Sequence, residues 1–117
     1  MIFDHYGIGG LLFALFFAHA LADFPLQQEF IAQAKKPDFW KEQESSNGFE
    51  WIFILGAHSI IHGGLVWLVS GSLLLGTIEV TLHFTIDHLR NKQLMSFTTD
   101  QLLHLCCKVA YLFFFLT

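Results

Sequence analysis

Charge is scarce in this chain: of its 117 residues only 14% are Asp, Glu, Lys or Arg, against 54% hydrophobic. A soluble domain carries about 25% charged residues. A water-soluble monomer is therefore hard to build here, and the remaining solvent is the bilayer. Positive charge is scarcer still. Six Lys and Arg against ten Asp and Glu give a net charge of −4 with no basic stripe, which excludes a basic nucleic-acid binder. Cysteine is confined to the adjacent Cys106 and Cys107. Neighbours on a helix point about 100° apart, so these two do not bridge each other, and there is no second pair to build a disulfide framework. They read as small apolar helix residues. Met1 to Tyr6 lacks a basic region, and no small-residue cleavage site closes the first apolar run. No signal peptide is expected, so that run should stay in the mature protein.

What is abundant is apolar, with 14 Phe among the hydrophobic residues, and this excludes disorder. The apolar residues gather into four segments, 8–24, 51–70, 73–89 and 101–117. Each approaches the roughly 20 residues that cross about 30 Å of hydrocarbon at 1.5 Å per residue. The expected fold is an all-α membrane protein over residues 1–117, with four transmembrane helices in a bundle. Between spans one and two the polar stretch 25–50 starts at Pro25, which suits a helix end. Leu26, Phe30 and Ile31 share one side of a short interfacial helix over 26–34. Ser45-Ser46-Asn47-Gly48 reads as a turn, and Ser70-Gly71-Ser72 as a hairpin between spans two and three.

The cations orient the chain. Lys35, Lys36, Lys41, Arg90 and Lys92 all fall in the loops 25–50 and 90–100, which a four-span topology puts on one side. By the positive-inside rule those loops are cytoplasmic and both termini face outward. A multi-pass membrane location is expected.

Histidines and carboxylates inside spans are costly and are functional by default. Nine stand in the spans or at the start of the last one, at repeating spacing: His19 and Asp23; His58 and His62; Glu79, His83 and Asp87; Asp100 and His104. Residues four apart share a helical face, so every span presents one stripe of metal-ligand types. In alternating spans the four stripes fall within about 15 Å of the cytoplasmic boundary, Glu79 deepest. His5 and Asp4 precede the spans and are expected in solvent; His88 lies on another face.

Imidazole with carboxylate and no thiolate suits zinc, iron or manganese. The metal ligands would be drawn from His19, Asp23, His58, His62, His83, Asp87 and His104. Glu79 would be a general base or an orienting carboxylate, and Asp100 an orienter. Nine candidates could hold two ions, or one ion with supporting carboxylates. A structural hydrogen-bond network, a proton or ion pathway and bis-histidine haem ligation are the other readings.

The ordered motifs His19-Ala-Leu-Ala-Asp23-Phe-Pro-Leu-Gln27, His58-Ser-Ile-Ile-His62-Gly, Glu79-Val-Thr-Leu-His83-Phe-Thr-Ile-Asp87 and Asp100-Gln101-Leu-Leu-His104 resemble a small bacterial and phage membrane family, domain of unknown function 3307. In this resemblance Lys35 or Lys36 matches a basic position, and Gln27 and Gln101 match recurrent amides. Arg90-Asn-Lys92 departs from it, since a lysine usually follows the aspartate span more directly. The His/Asp pattern is also similar to predicted inner-membrane metal-dependent hydrolases, which implies hydrolysis by analogy. The expected function is then a divalent-metal hydrolase, zinc first, acting on a lipid or amphiphilic substrate at the cytoplasmic leaflet. The alternative is a non-enzymatic transporter, ion pathway or interaction module. Transport would need a homo-oligomer, with Gly56, Gly63, Gly64, Gly71 and Gly76 permitting close helix approach.

The charge pattern makes a topological prediction. With Cys106 and Cys107 replaced, a cysteine at Ser45 should resist a membrane-impermeant reagent in intact cells and react in inverted vesicles. A cysteine at Ser72 should do the opposite. The reverse pattern would invert the topology.

Overall fold

In the computed structural model, residues 4–116 are described, and they are helical throughout, with no strand among them. A 3₁₀ turn over Asp4–Tyr6 leads into α1 (Gly7–Asp23), α2 (Glu29–Ala34), α3 (Pro37–Lys41), α4 (Glu50–Ser70), α5 (Leu73–Asn91) and α6 (Phe97–Leu116). The side chain of Asp4 and the last expected span residue, Thr117, lie outside the described residues; His5 is exposed.

Local chemistry explains where the expected boundaries move. α1 stops at Asp23, two residues before Pro25, whose nitrogen carries no N–H to continue the helical ladder. The expected interfacial helix over 26–34 contracts to Glu29–Ala34. A second short helix follows, because Pro37 occupies a first-turn position where its fixed φ is already helical. α6 starts earlier than expected, at Phe97: Ser96 Oγ accepts from the Thr99 backbone N–H at 3.1 Å, an N-terminal cap. α5 runs on to Asn91, so the second polar connection is only 92–96. Cys106 and Cys107 are both free.

The four long helices form a closed bundle in which α1 packs on α4, α4 on α5, α5 on α6, and α6 back on α1. The tightest pair is the α4–α5 hairpin. Gly71 takes the left-handed conformation (φ 73°), and its N–H bonds the Trp67 carbonyl at 2.7 Å. Ser72 Oγ then caps α5 by accepting from the Leu75 N–H at 3.2 Å. The two backbones meet at Gly63 and Gly76. A Cβ on Gly63 would stand 2.5 Å from the Gly76 carbonyl oxygen, and one on Gly76 2.7 Å from that of Gly63. Close helix approach, expected between chains, thus occurs inside one chain at these two glycines. At Gly56 and Gly64 a Cβ would meet nothing within 4 Å.

Burial is divided along the bundle axis. Towards the Gly71 end, Leu15, Val66, Leu75, Tyr111 and Leu112 make an apolar cluster. The opposite half is filled by titratable side chains. Among the described residues, eleven buried polar or charged residues stand beside ten buried hydrophobic ones, while Phe13, Phe17, Phe53, Ile60, Leu68, Leu74 and Phe113 point outward from all four helices. Among the described residues, α4 alone is long and apolar enough to cross a membrane, by length and composition. α1 is apolar but shorter, and α5 and α6 spend positions on their titratable stripes.

Because the Gly63–Gly76 contact is backbone to backbone, Gly63→Ala or Gly76→Ala should lower thermal stability in detergent by about 1–3 kcal/mol. Gly56→Ala and Gly64→Ala should be neutral or slightly stabilising, since alanine is the better helix former. Equal melting shifts from all four variants would contradict the packing.

Candidate metal centre

The i, i+4 stripes of α1, α4, α5 and α6 converge in the polar half of the bundle. Eight of the nine sequence-selected residues are buried, and Asp23 sits at the margin with its side chain 9% exposed. Asp23, in the last turn of α1, is the hub. Its Oδ1 accepts from His62 Nε2 at 2.8 Å and lies 3.3 Å from His58 Nε2 and 3.9 Å from His83 Nε2. Its Oδ2 accepts from Gln101 Nε2 at 2.8 Å and lies 3.3 Å from His19 Nε2. His19 Nε2 and Gln101 Oε1 are 3.1 Å apart. One carboxylate is thereby addressed from all four long helices.

Three overlapping sets of donor atoms lie close enough to hold an ion, each within 4.8 Å: His19, Asp23, His62 and His83; His58, His83 and Asp87; Glu79, His83 and His104. His83 belongs to all three. Its ring stacks on His62 (centroids 3.6 Å) and on His104 (4.3 Å). Its Nε2 is 3.8 Å from Asp87 Oδ2, and its Nδ1 is 3.7 Å from Glu79 Oε1. Asp100 Oδ1 is 3.3 Å from His104 Nε2, and its Oδ2 accepts from Gln101 Nε2 at 3.2 Å. His88 is turned away and stacks on Trp51 with centroids 4.6 Å apart, as its place on another face implied.

Two lysines bracket the cluster. At the mouth, Lys35 Nζ donates to Asp87 Oδ2 at 2.7 Å and to Gln27 Oε1 at 2.5 Å, and Gln27 Nε2 donates to the Asp23 carbonyl at 3.1 Å. The peptide of Lys35 is held as well, its carbonyl accepting from Asn91 Nδ2 at 3.1 Å. At depth, Lys108 Nζ donates to Glu79 Oε1 and Tyr111 Oη to Glu79 Oε2, both at 2.5 Å. The sequence reading missed Lys108 and Tyr111. Lys108 was legible, since it continues the Asp100, His104 stripe at the next i+4 step; counted as a cation without a loop, it had no assigned role.

An open pocket of about 730 Å³ reaches the cluster between the α2–α3 segment and the end of α5. Asp23, Asp87, Asp100 and Gln101 are in its floor, and Gln27, Lys35, Lys36 and Arg90 are in its walls.

A family model described as "Protein of unknown function (DUF3307)" matches residues 11–117, nearly the whole chain, and the chain belongs to that family. No curated protein and no solved structure matches it.

The Lys108–Glu79 pair is fully buried, so breaking it should cost about 3–5 kcal/mol, whereas replacing both partners leaves no stranded charge. Lys108→Met should therefore melt well below wild type in detergent, and Lys108→Met with Glu79→Gln should recover most of the loss. Additive losses in the double variant would exclude a direct pairing.

Proposed function

We propose that this DUF3307 protein is a four-span protein of the bacterial inner membrane whose bundle holds a divalent metal ion, zinc before iron or manganese, and hydrolyses an amphiphilic substrate. The observation that carries the reading is the concentration of buried imidazole nitrogens without a hydrogen-bond partner among the described residues: His19 Nδ1, His58 Nε2, both nitrogens of His83 and His104 Nε2 lie in the cluster, against His88 Nδ1 outside it. A purely structural network closes on itself, because each stranded buried polar atom costs about 1–3 kcal/mol. A neutral imidazole keeps one lone-pair nitrogen, and a cation takes that lone pair without needing another donor.

The spacing supports the same reading. Four ligands at about 2.1 Å around a tetrahedral ion lie about 3.4 Å apart. The distances from Asp23 Oδ1 to Nε2 of His62, His58 and His83 are 2.8, 3.3 and 3.9 Å and bracket that value. His19, Asp87 and His104 complete the set from which ligands are drawn.

A bilayer accounts for the inverted exterior. The long helices have 17 to 21 residues, about 26–32 Å at 1.5 Å per residue, which matches the hydrocarbon thickness. Thr77, Thr81 and Thr85, on the exposed face of α5, return their hydroxyls to the carbonyls four residues back at 2.9, 3.3 and 2.9 Å. Their polar atoms are thus satisfied without water, as lipid contact requires. The pocket and the loop lysines share one end, which the charge pattern assigns to the cytoplasm.

A divalent ion lowers the pKa of a bound water towards neutrality. Asp100, at the pocket floor with Oδ1 3.3 Å from His104 Nε2 and making no hydrogen bond, is the carboxylate placed to accept a proton from an attacking water. Glu79, held by Lys108 and Tyr111, instead faces His83 Nδ1 as an orienting carboxylate.

Protein purified in detergent without added metal should carry about one divalent ion per chain, as a ligand set built into the fold implies. His58→Ala with His62→Ala should lose it. EDTA should lower the melting temperature of wild type by several degrees and leave His62→Asn, already lowered by a similar amount, unmoved. A metal-free wild type, or additive effects of chelator and mutation, would refute the metal centre.

A further inference from the structure

The pocket above the cluster has a charge asymmetry that the metal reading leaves unused. Four carboxylates line it, Asp23, Asp38, Asp87 and Asp100, against three cations, Lys35, Lys36 and Arg90. The acids are engaged: Asp38 with Lys41 at 2.6 Å, Asp87 with Lys35 at 2.7 Å, and Asp23 and Asp100 with the histidine cluster. Lys35 is engaged too. Lys36 and Arg90 are not. Each is half-buried in the pocket wall, and among the described residues neither side chain makes an ion pair or hydrogen bond. They come from separate segments, the α2–α3 junction and the last turn of α5, so the fold brings two unspent cations to one opening. A divalent ion on the floor would turn the lining from net acidic to net basic, and the pocket would then accept an anion.

The shape of that anion follows from where its partners stand. One face must meet the floor, where the histidines and Asp100 lie, and another must meet the Arg90 and Lys36 heads at the wall. A tetrahedral oxyanion presents oxygens in both directions. Arginine offers a planar fork that matches it, and lysine a point charge. The volume of about 730 Å³ falls in the range of small-molecule sites. Three aromatic side chains, Phe24, Phe39 and Phe97, also line the pocket; Phe24 and Phe97 are largely exposed. The opening is therefore apolar beside its cations, as an amphiphile requires.

We propose that the pocket recognises a phosphate ester, with its phosphoryl oxygens held by Arg90 and Lys36 and directed at the floor of the His/Asp cluster. This deepens the proposed function and rests on it, because the pocket becomes anion-accepting only with the metal in place.

Calorimetric titration of zinc-loaded full-length protein in detergent tests this with three probes: inorganic phosphate, a short-chain phosphatidic acid and the matching diacylglycerol. Zinc content is measured on each preparation. Phosphatidic acid should bind and diacylglycerol should not, and EDTA should abolish binding. Lys36→Gln with Arg90→Gln should weaken binding at least about tenfold, the effect of losing about 1.4 kcal/mol of charged hydrogen bonding. Both residues lie at the rim, so zinc content should be unchanged. Phosphatidic acid bound more tightly than inorganic phosphate identifies a lipid headgroup; equal affinities identify a water-soluble phosphate ester, and both support phosphate recognition. Diacylglycerol binding as well as phosphatidic acid, or a double variant that binds like wild type, would overturn the inference. So would zinc uptake with neither phosphate probe bound, an outcome that leaves the metal centre standing. Failure to take up zinc at all would overturn both.

Discussion

Asp23 is the point on which the four long helices agree. It ends α1, receives His62 and faces His58 from α4, faces His83 from α5, and receives Gln101 from α6. A charged oxygen in a bundle interior has to be compensated from several directions at once, which fixes the relative height and rotation of its partners far more narrowly than apolar contacts do. The apolar half, around Leu15, Val66 and Leu112, closes the bundle. The polar half sets its register.

The division along the axis also explains why two lysines are buried. Lys35 stands over Asp87 at the mouth, and Lys108 stands under Glu79 at depth, with Tyr111 sharing the same carboxylate. Each lysine occupies a carboxylate at the edge of the histidine array, while Asp23 stays in contact with imidazoles. The short helices serve the same arrangement. Trp40 Nε1 bonds the Ala34 carbonyl at 2.7 Å, and Asn91 bonds that of Lys35. The segment that carries Lys35 is thus fastened to itself and to α5 at the rim of the pocket.

The stripes were legible in the sequence because helical periodicity is rigid: an i, i+4 repeat of His and Asp can face only one way. The hairpin was legible because Gly71 between two serines has few other uses. Partnerships across helices were not. Nothing local in Lys108 points to Glu79, since the pairing depends on how α5 and α6 rotate against each other. Lys35 and Lys36 are adjacent and look alike in the sequence; only the fold separates the one that turns inward to Asp87 from the one left in the pocket wall. The boundaries of α5 and α6 moved for a similar reason. The caps at Ser96 and the run-on to Asn91 satisfy backbone groups, while apolar content alone marks only where the chain is greasy.

Charge balance links the structural halves to the proposed ion. The buried cluster contains four carboxylates, Asp23, Glu79, Asp87 and Asp100, and two ammonium groups, Lys35 and Lys108. With its five imidazoles neutral, as metal ligation requires, the array is left with two uncompensated negative charges. In a low-dielectric interior such an excess is expensive. One divalent cation among His19, Asp23, His62 and His83, whose donor atoms lie within 4.8 Å of one another, would cancel it. The opening lined by Arg90 and Lys36 then stands over a floor whose negative charge is already cancelled. The same electrostatics that favours one resident ion therefore makes anion binding at the opening depend on that ion.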